Sequence, residues 1–337
     1  MDKKVSIYDI AKYLNLSVAT VSYAINGKGK ISDKTRKRVQ EAINELGYVV
    51  NNTARSLSTG KSHLIGFLLP LEDTSAGLIE NPFYVEFISG MEKGFKNYNY
   101  DIVIANLDNE LKIYDWVISR GIDGIIVLGK YPKAVYEELK SLNIPIVLTD
   151  VYEDYSKEFF NIRIDDEYGA YIACKHLIDN GHTKIGFVGN KSQSLVDNQR
   201  FLGYKRALME ANIPFSDNNV FECFSTFDNG YKMADIIKDS NVTGVVCSAD
   251  IIAVGIIKRY HDLKIAIPDD LSLVGFDDIK EATHIFPSLT TIRQDITNKA
   301  IMAAKMILDS LEYNDSAIRL QILRPSLIIR DSVKKLN

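Results

Sequence analysis

Along residues 6–26 the apolar positions recur at helical spacing: Ile7, Ile10, Ala11 and Leu14 fall at i, i+3, i+4 and i+7 and form one stripe of a short helix. Ser6 stands where it can accept from the N–H groups of the first turn, and Asp9, three residues on, where the partner of a capping box belongs. Asn15 and Leu16 break the pattern. Ser17 then caps a second helix that turns Val21 and Ile25 inward and Val18, Ala19, Ser22 and Tyr23 outward. A third helix begins at Ser32, carries Val39, Ala42, Ile43 and Leu46 on one face, and meets Gly47 where a left-handed residue ends it. Three such helices close one small core. The second offers small and hydroxyl-bearing side chains outward, which is the shape of a helix that enters a DNA groove.

From His63 onward the pattern changes to short apolar runs alternating with helical segments. The strands expected are 64–69, 101–105, 124–128, 146–149, 184–188, 220–224, 244–247 and 271–275, with helices such as 84–98, 168–180 and 201–211 between them. Near-continuous hydrophobic runs belong to parallel strands buried on both faces. About eight such units exceed one comfortable sheet, so the expected fold class is α/β, with two doubly wound lobes that part near residues 163–166. Ligands of open parallel sheets sit beyond the carboxyl ends of the strands, and two facing lobes would surround one cleft. Between head and body, residues 49–62 (VVNNTARSLSTGKS) are rich in Asn, Ser and Thr and bury little alone. They read as a plain linker or as a segment that folds into about two helical turns on its target. Gly60–Lys61–Ser62 has the ending of a phosphate loop, but Arg55 stands where its first glycine belongs.

Charge sharpens this picture. Up to Ser62 there are eleven Lys and Arg against five Asp and Glu, a net +6, and since the whole chain is −4 the rest carries −10. A basic head on an acidic body is the footprint of phosphate binding by the head alone. No window reaches the roughly 18–20 consecutive apolar residues of a membrane span, and MDKKVSIYD has no apolar run behind its lysines, so the chain is expected in the cytoplasm. Cys174, Cys223 and Cys247 are odd in number and widely spaced, as reduced thiols are, and the five histidines have no metal-ligand spacing. Neither a nucleophile elbow, a zinc-protease helix, a complete phosphate loop nor a dinucleotide fingerprint is present, so no enzyme, cofactor or metal is expected.

Taken in order, the motifs IYDIA, LSVATVSYAIN and ISDKTRKRVQEAINELGY in the head, NNTARSL after it, and NPFY, RFLGY, SLVGFDD and PSLTTIRQD in the body resemble the lactose-repressor (LacI/GalR) family of bacterial transcription regulators nearly end to end. The resemblance implies a helix-turn-helix head at 1–49, a hinge at 50–62, and two lobes of periplasmic-binding-protein type at 63–163 with 294–323 and at 164–293 with 324–337. It implies that Tyr8, Ser17, Thr20, Ser22 and Asn26 hold phosphates or orient the recognition helix, while Val18, Ala19 and Tyr23 choose the base sequence. Asn51, Ala54 and Leu57 fall in the hinge, with Leu57 matching a minor-groove wedge. A second hinge implies a homodimer on a pseudo-palindromic operator, and the lack of a leucine-heptad tail leaves a dimer rather than a tetramer as the expectation.

For the effector, the matching positions are Phe83, Tyr84, Asp150, Arg200, Phe227, Asp250, Asp277 and Gln294. A planar guanidinium beside carboxylates and aromatic rings suits a sugar or sugar derivative. A purine and a partner-protein corepressor are the alternatives within the family, and a solute-binding protein without DNA function is the alternative outside it.

Overall fold

The structure, a computed structural model, describes residues 5–26, 31–48, 60–69, 81–106, 112–153, 157–313 and 319–336. The hinge positions Asn51, Ala54 and Leu57 and the side chain of Asn26 lie outside the described residues.

The head contains α1 (Ile7–Leu14), α2 (Val18–Asn26) and α3 (Asp33–Leu46). Asp9 reaches back to the Ser6 N–H at 2.8 Å, Asn15 closes α1 in the left-handed conformation, and Ser32 and Gly47 bracket α3. These caps satisfy helix-end groups that would otherwise lack partners. Ile10, Ala11, Val21, Ala24, Val39 and Ala42 are the buried centre of this unit. Ala24 joins Val21 as an inward residue of α2 and Val18 is half-buried against the same core, so the outward face is narrower than the sequence suggests.

The body holds two six-stranded sheets. Its strands in chain order are β1 (Leu64–Leu69), β2 (Asp101–Asn106), β3 (Gly124–Leu128), β4 (Ile146–Thr149), β5 (Phe160–Ile164), β6 (Ile185–Val188), β7 (Val220–Phe221), β8 (Gly244–Cys247), β9 (Ser272–Asp277), β10 (Thr290–Arg293), β11 (Leu320–Leu323) and β12 (Ser326–Ile328). The helices are α4 (Pro82–Phe95), α5 (Ile113–Arg120), α6 (Lys133–Lys140), α7 (Asp166–Asp179), α8 (Leu195–Glu210), α9 (Phe227–Lys238), α10 (Asp250–Asp262), the single turn α11 (Glu281–His284) and α12 (Ile296–Tyr313).

The first sheet runs β11-β5-β4-β3-β1-β2, parallel throughout, and the second β12-β10-β9-β8-β6-β7, parallel except for the antiparallel edge pair β10–β12. Inner strands such as β3, β8 and β9 are buried along their whole length, as their unbroken apolar runs require. The chain passes from one sheet to the other three times, after β5, after β10 and after β11. The carboxyl ends of both sets of strands therefore border one cleft.

Two expectations change on inspection. Residues 220–224 form a strand of only two residues, and Asp250 is fully buried as the first residue of α10. There it accepts from the Ile279 N–H at 3.0 Å and the Thr291 hydroxyl at 2.5 Å. Gly275 makes room for it, since a Cβ at that position would stand 2.0 Å from Asp250 Oδ1.

Candidate functional site

On the head, Ser17 caps α2 by accepting from the Thr20 N–H at 3.1 Å, and the two hydroxyls lie 2.8 Å apart. Tyr8 is 70% and Tyr23 49% exposed, and Ser17 and Ala19 are exposed beside them, while Thr20 and Ser22 are partly covered. One face thus offers hydroxyls and a small apolar surface with no acidic side chain in α2, which suits phosphate and base-edge contacts.

In the body, a cavity of about 110 Å³ opens between the two sheets. Asn81, Phe83 and Tyr84 at the start of α4, Leu128 and Gly129 after β3, and Asp150 after β4 line it from the first lobe. Ser194, Val196, Asp197 and Arg200 of the α8 region, Ser225, Ala249 and Asp277 line it from the second, and Gln294 from a crossover. This is the position beyond the strand ends that doubly wound sheets reserve for ligands. Backbone at positive φ gathers here, with Asp150 at 57°, Asp277 at 122° and Asp295 at 46°. Aspartate tolerates the left-handed region at Asp150 and Asp295, whereas φ of 122° at Asp277 lies beyond it and is held by the surrounding packing.

Arg200 is the centre of the second-lobe wall. Its Nε and Nη2 each lie 2.8 Å from Asp166 Oδ1, Nη1 donates to the Ser248 carbonyl and stands 3.8 Å from Asp277 Oδ1, and the guanidinium covers Phe276 at 3.7 Å. Burial pulls the guanidinium down, but Asp166, Asp277 and Asp197 together raise it above its ordinary value. Asp166 is raised by burial against the pull of Arg200, and Tyr152 from the first lobe donates its hydroxyl to the same carboxylate. Asp197, also raised by burial, accepts from the Asn190 N–H at 2.7 Å.

Behind the opposite wall stands a group that residue-by-residue matching missed. Lys299 is fully buried in α12, with Nζ 2.6 Å from Asp150 Oδ2, 2.9 Å from Gln294 Oε1 and 4.9 Å from the centre of the Phe83 ring. Gln294 in turn donates Nε2 to Asp277 Oδ1. The pattern gave a signal for it, because Lys299 interrupts the otherwise apolar stripe Ile296, Ala300, Ala303, Ala304 and Ile307 of α12. Asp166 and Asp197 were missed as well; their signal was only a carboxylate at the start of a helix.

Of the eight effector positions expected, six line the cavity: Phe83, Tyr84, Asp150, Arg200, Asp277 and Gln294. Asp250 does not, being held inside the second lobe. Phe227 does not either: it is 36% exposed at the start of α9 against Tyr231, and Ser225 takes the cavity position in that loop. Among the described residues no group of His, Cys, Asp and Glu is placed to hold a metal ion, and no helix is long and apolar enough to cross a membrane.

A DNA-facing helix pair on a two-lobed ligand receptor defines a ligand-responsive transcription regulator. Residues 6–51 match the family described as bacterial regulatory proteins, lacI family, and residues 174–333 match the periplasmic binding protein-like domain. The chain is 32% identical over 311 residues to catabolite control protein A of Priestia megaterium, covering 90% of this chain and 91% of that protein. It is 30% identical over 340 residues to the HTH-type transcriptional repressor PurR of Vibrio vulnificus (strain CMCP6), covering 98% and 99%. Among solved structures, a LacI family transcriptional regulator from Enterococcus faecium with bound ribose matches at TM-score 0.72 and 28% identity, covering 81% of this chain and 100% of that one. The chain belongs to the lacI family of bacterial regulatory proteins. It is a DNA-binding regulator of the repressor type with an effector-binding domain, and not an enzyme.

Proposed function

We propose that the cleft takes a carbohydrate or carbohydrate derivative, and that its occupancy controls operator binding by a cytoplasmic homodimer. The observation that carries the effector class is the placement of the Arg200 fork and the Asp277 carboxylate on one wall, facing the apolar rings of Phe83 and Tyr84 on the other. Donors, acceptors and a flat apolar surface around one small cavity are what a sugar ring uses. The ribose-bound relative from Enterococcus faecium supports the same class.

In this reading Tyr8, Ser17, Thr20, Ser22 and Asn26 position the head on phosphates, and Val18, Ala19 and Tyr23 read bases. Ala54 and Leu57 enter the minor groove from both subunits of a dimer on a pseudo-palindrome, with Asn51 contacting DNA from the same hinge. The working divisions of the chain are the head at 1–49, the hinge at 50–62, and lobes at 63–163 with 294–323 and at 164–293 with 324–337.

A thermal-shift screen of neutral sugars, sugar phosphates and purines tests the effector class. A ligand that binds only the folded chain stabilises it by about 2.7 kcal/mol at a hundredfold excess over Kd. Stabilisation by a purine alone would overturn the carbohydrate reading, and no shift with any of these small molecules would favour a protein corepressor.

A further inference from the structure

Resting on the carbohydrate reading, we propose that Lys299 and Asp150 fix the charge class of the effector: a neutral, hydroxyl-bearing sugar rather than a phosphorylated one. The cation in the cavity wall, Arg200, and the one behind the opposite wall, Lys299, are both engaged. Arg200 holds Asp166 through two nitrogens at 2.8 Å, and Lys299 holds Asp150 at 2.6 Å while its remaining contacts go to Gln294 and the Phe83 ring. The cavity lining carries Asp150, Asp197 and Asp277, with Asp166 behind Arg200, so an entering phosphate dianion meets three acidic side chains and a guanidinium already paired. Like charge in a site sheltered from water is strongly disfavoured.

A hydroxyl is met differently. Asp150 lines the cavity, its side chain is nine-tenths covered, and Oδ1 has no hydrogen-bond partner among the described residues while Oδ2 is held by Lys299. A buried carboxylate oxygen without a donor favours a ligand that brings one, and an O–H group does so without adding charge. Lys299 does not line the cavity itself. It is a positioning residue that holds Asp150 in place and balances its charge.

The test is charge exchange within the pair, read as discrimination between neutral and phosphorylated partners of one sugar. Full-length wild type, Asp150→Asn and Lys299→Met are titrated calorimetrically with D-ribose against D-ribose 5-phosphate, D-glucose against D-glucose 6-phosphate, and cellobiose, with hypoxanthine as the non-sugar control. Wild type is expected to bind a neutral sugar at least tenfold more tightly than its phosphate. Asp150→Asn, nearly the same size, releases Lys299 from its partner and shifts that ratio at least tenfold toward the phosphate. Lys299→Met shifts it the opposite way. A merely structural role would weaken both ligands together and leave the ratio alone.

Equal or tighter binding of a sugar phosphate by wild type, or an unchanged ratio in Asp150→Asn, overturns the charge assignment and leaves the carbohydrate reading standing. Binding of hypoxanthine alone, or of nothing in the set, overturns the carbohydrate reading and this proposal with it.

Discussion

Burial pushes the Asp277 carboxyl up to about 7, although Arg200, the Gln294 hydrogen bond and Lys299 all pull it down. The folded chain therefore holds this proton over a range, from roughly 4 to 7, in which an unfolded carboxyl of pKa about 3.9 has lost it. A raised acid contributes stability that is complete below the unfolded value and is lost as pH rises through the folded one. Asp277→Asn, which keeps the shape without the ionisation, should accordingly melt at an increasingly favourable temperature relative to wild type between pH 5 and pH 8. Effector affinity should run the other way. An ionised Asp277 accepts from two hydroxyls where the protonated form must donate one bond, so wild-type binding should strengthen over the same range and the Asn variant's profile should be flat. Parallel melting curves at all pH values would show that Asp277 does not titrate there. The same local accounting explains why Asp250 was misread: a carboxylate after a strand looks alike in sequence whether it faces a cleft or satisfies the Ile279 N–H and the Thr291 hydroxyl inside the lobe.

At the scale of elements, legibility followed burial. Strands β1, β3, β4, β6, β8 and β9 are covered on both faces and announce themselves as apolar runs. Strand β5 carries Asn161 and Arg163, β10 is Thr-Thr-Ile-Arg, and β11 and β12 are edge strands with partly exposed side chains, so none of the four gave an apolar run of the same kind. Residues brought together by the crossovers, above all Lys299 beside Asp150, are 149 positions apart and no local pattern joins them. Close packing of helices is equally hidden. Helix α8 lies so near α7 that a Cβ on Gly203 would stand 1.9 Å from the Glu167 carbonyl oxygen and 2.8 Å from the Tyr171 nitrogen. Backbone cannot step aside as a flexible side chain can, so Gly203→Ala must push α8 outward and disturb Arg200 one turn earlier. We expect a loss on the order of 3 kcal/mol in denaturant unfolding, at the upper end of overpacking costs, together with weakened effector binding. An unchanged midpoint would mean that the helices separate freely.

For the whole molecule, the question is what an occupied cleft communicates, and the side chains that cross between lobes define the terms. Tyr152, in the first lobe, donates to Asp166 at the start of α7 in the second, and the chain of contacts continues from Asp166 to Arg200, near Asp277, through Gln294 to Lys299 and back to Asp150. The effector positions Asp150, Arg200, Asp277 and Gln294 thus belong to the network that bridges the lobes. A ligand that draws on Arg200 or Asp277 alters the relative stability of lobe arrangements, and it affects DNA binding only to the extent that it prefers one arrangement, typically by about 1–3 kcal/mol. Tyr152→Phe removes one bridging bond to a carboxylate while leaving Asp166 paired with Arg200, and should disfavour the arrangement seen here by about 1.5–3 kcal/mol. Both affinities then move by up to that amount: that of the effector-free protein for operator and that of the DNA-free protein for effector. If the effector releases DNA they move in opposite directions, because the two ligands select different arrangements; if it promotes binding they move together. One variant and two titrations therefore read the sign of control, which sequence leaves open. Reciprocity supplies the internal check, since the factor by which effector changes operator affinity must equal the factor by which operator changes effector affinity, in wild type and variant alike. If neither affinity changes in Tyr152→Phe, the Tyr152–Asp166 bond has no part in the equilibrium between arrangements.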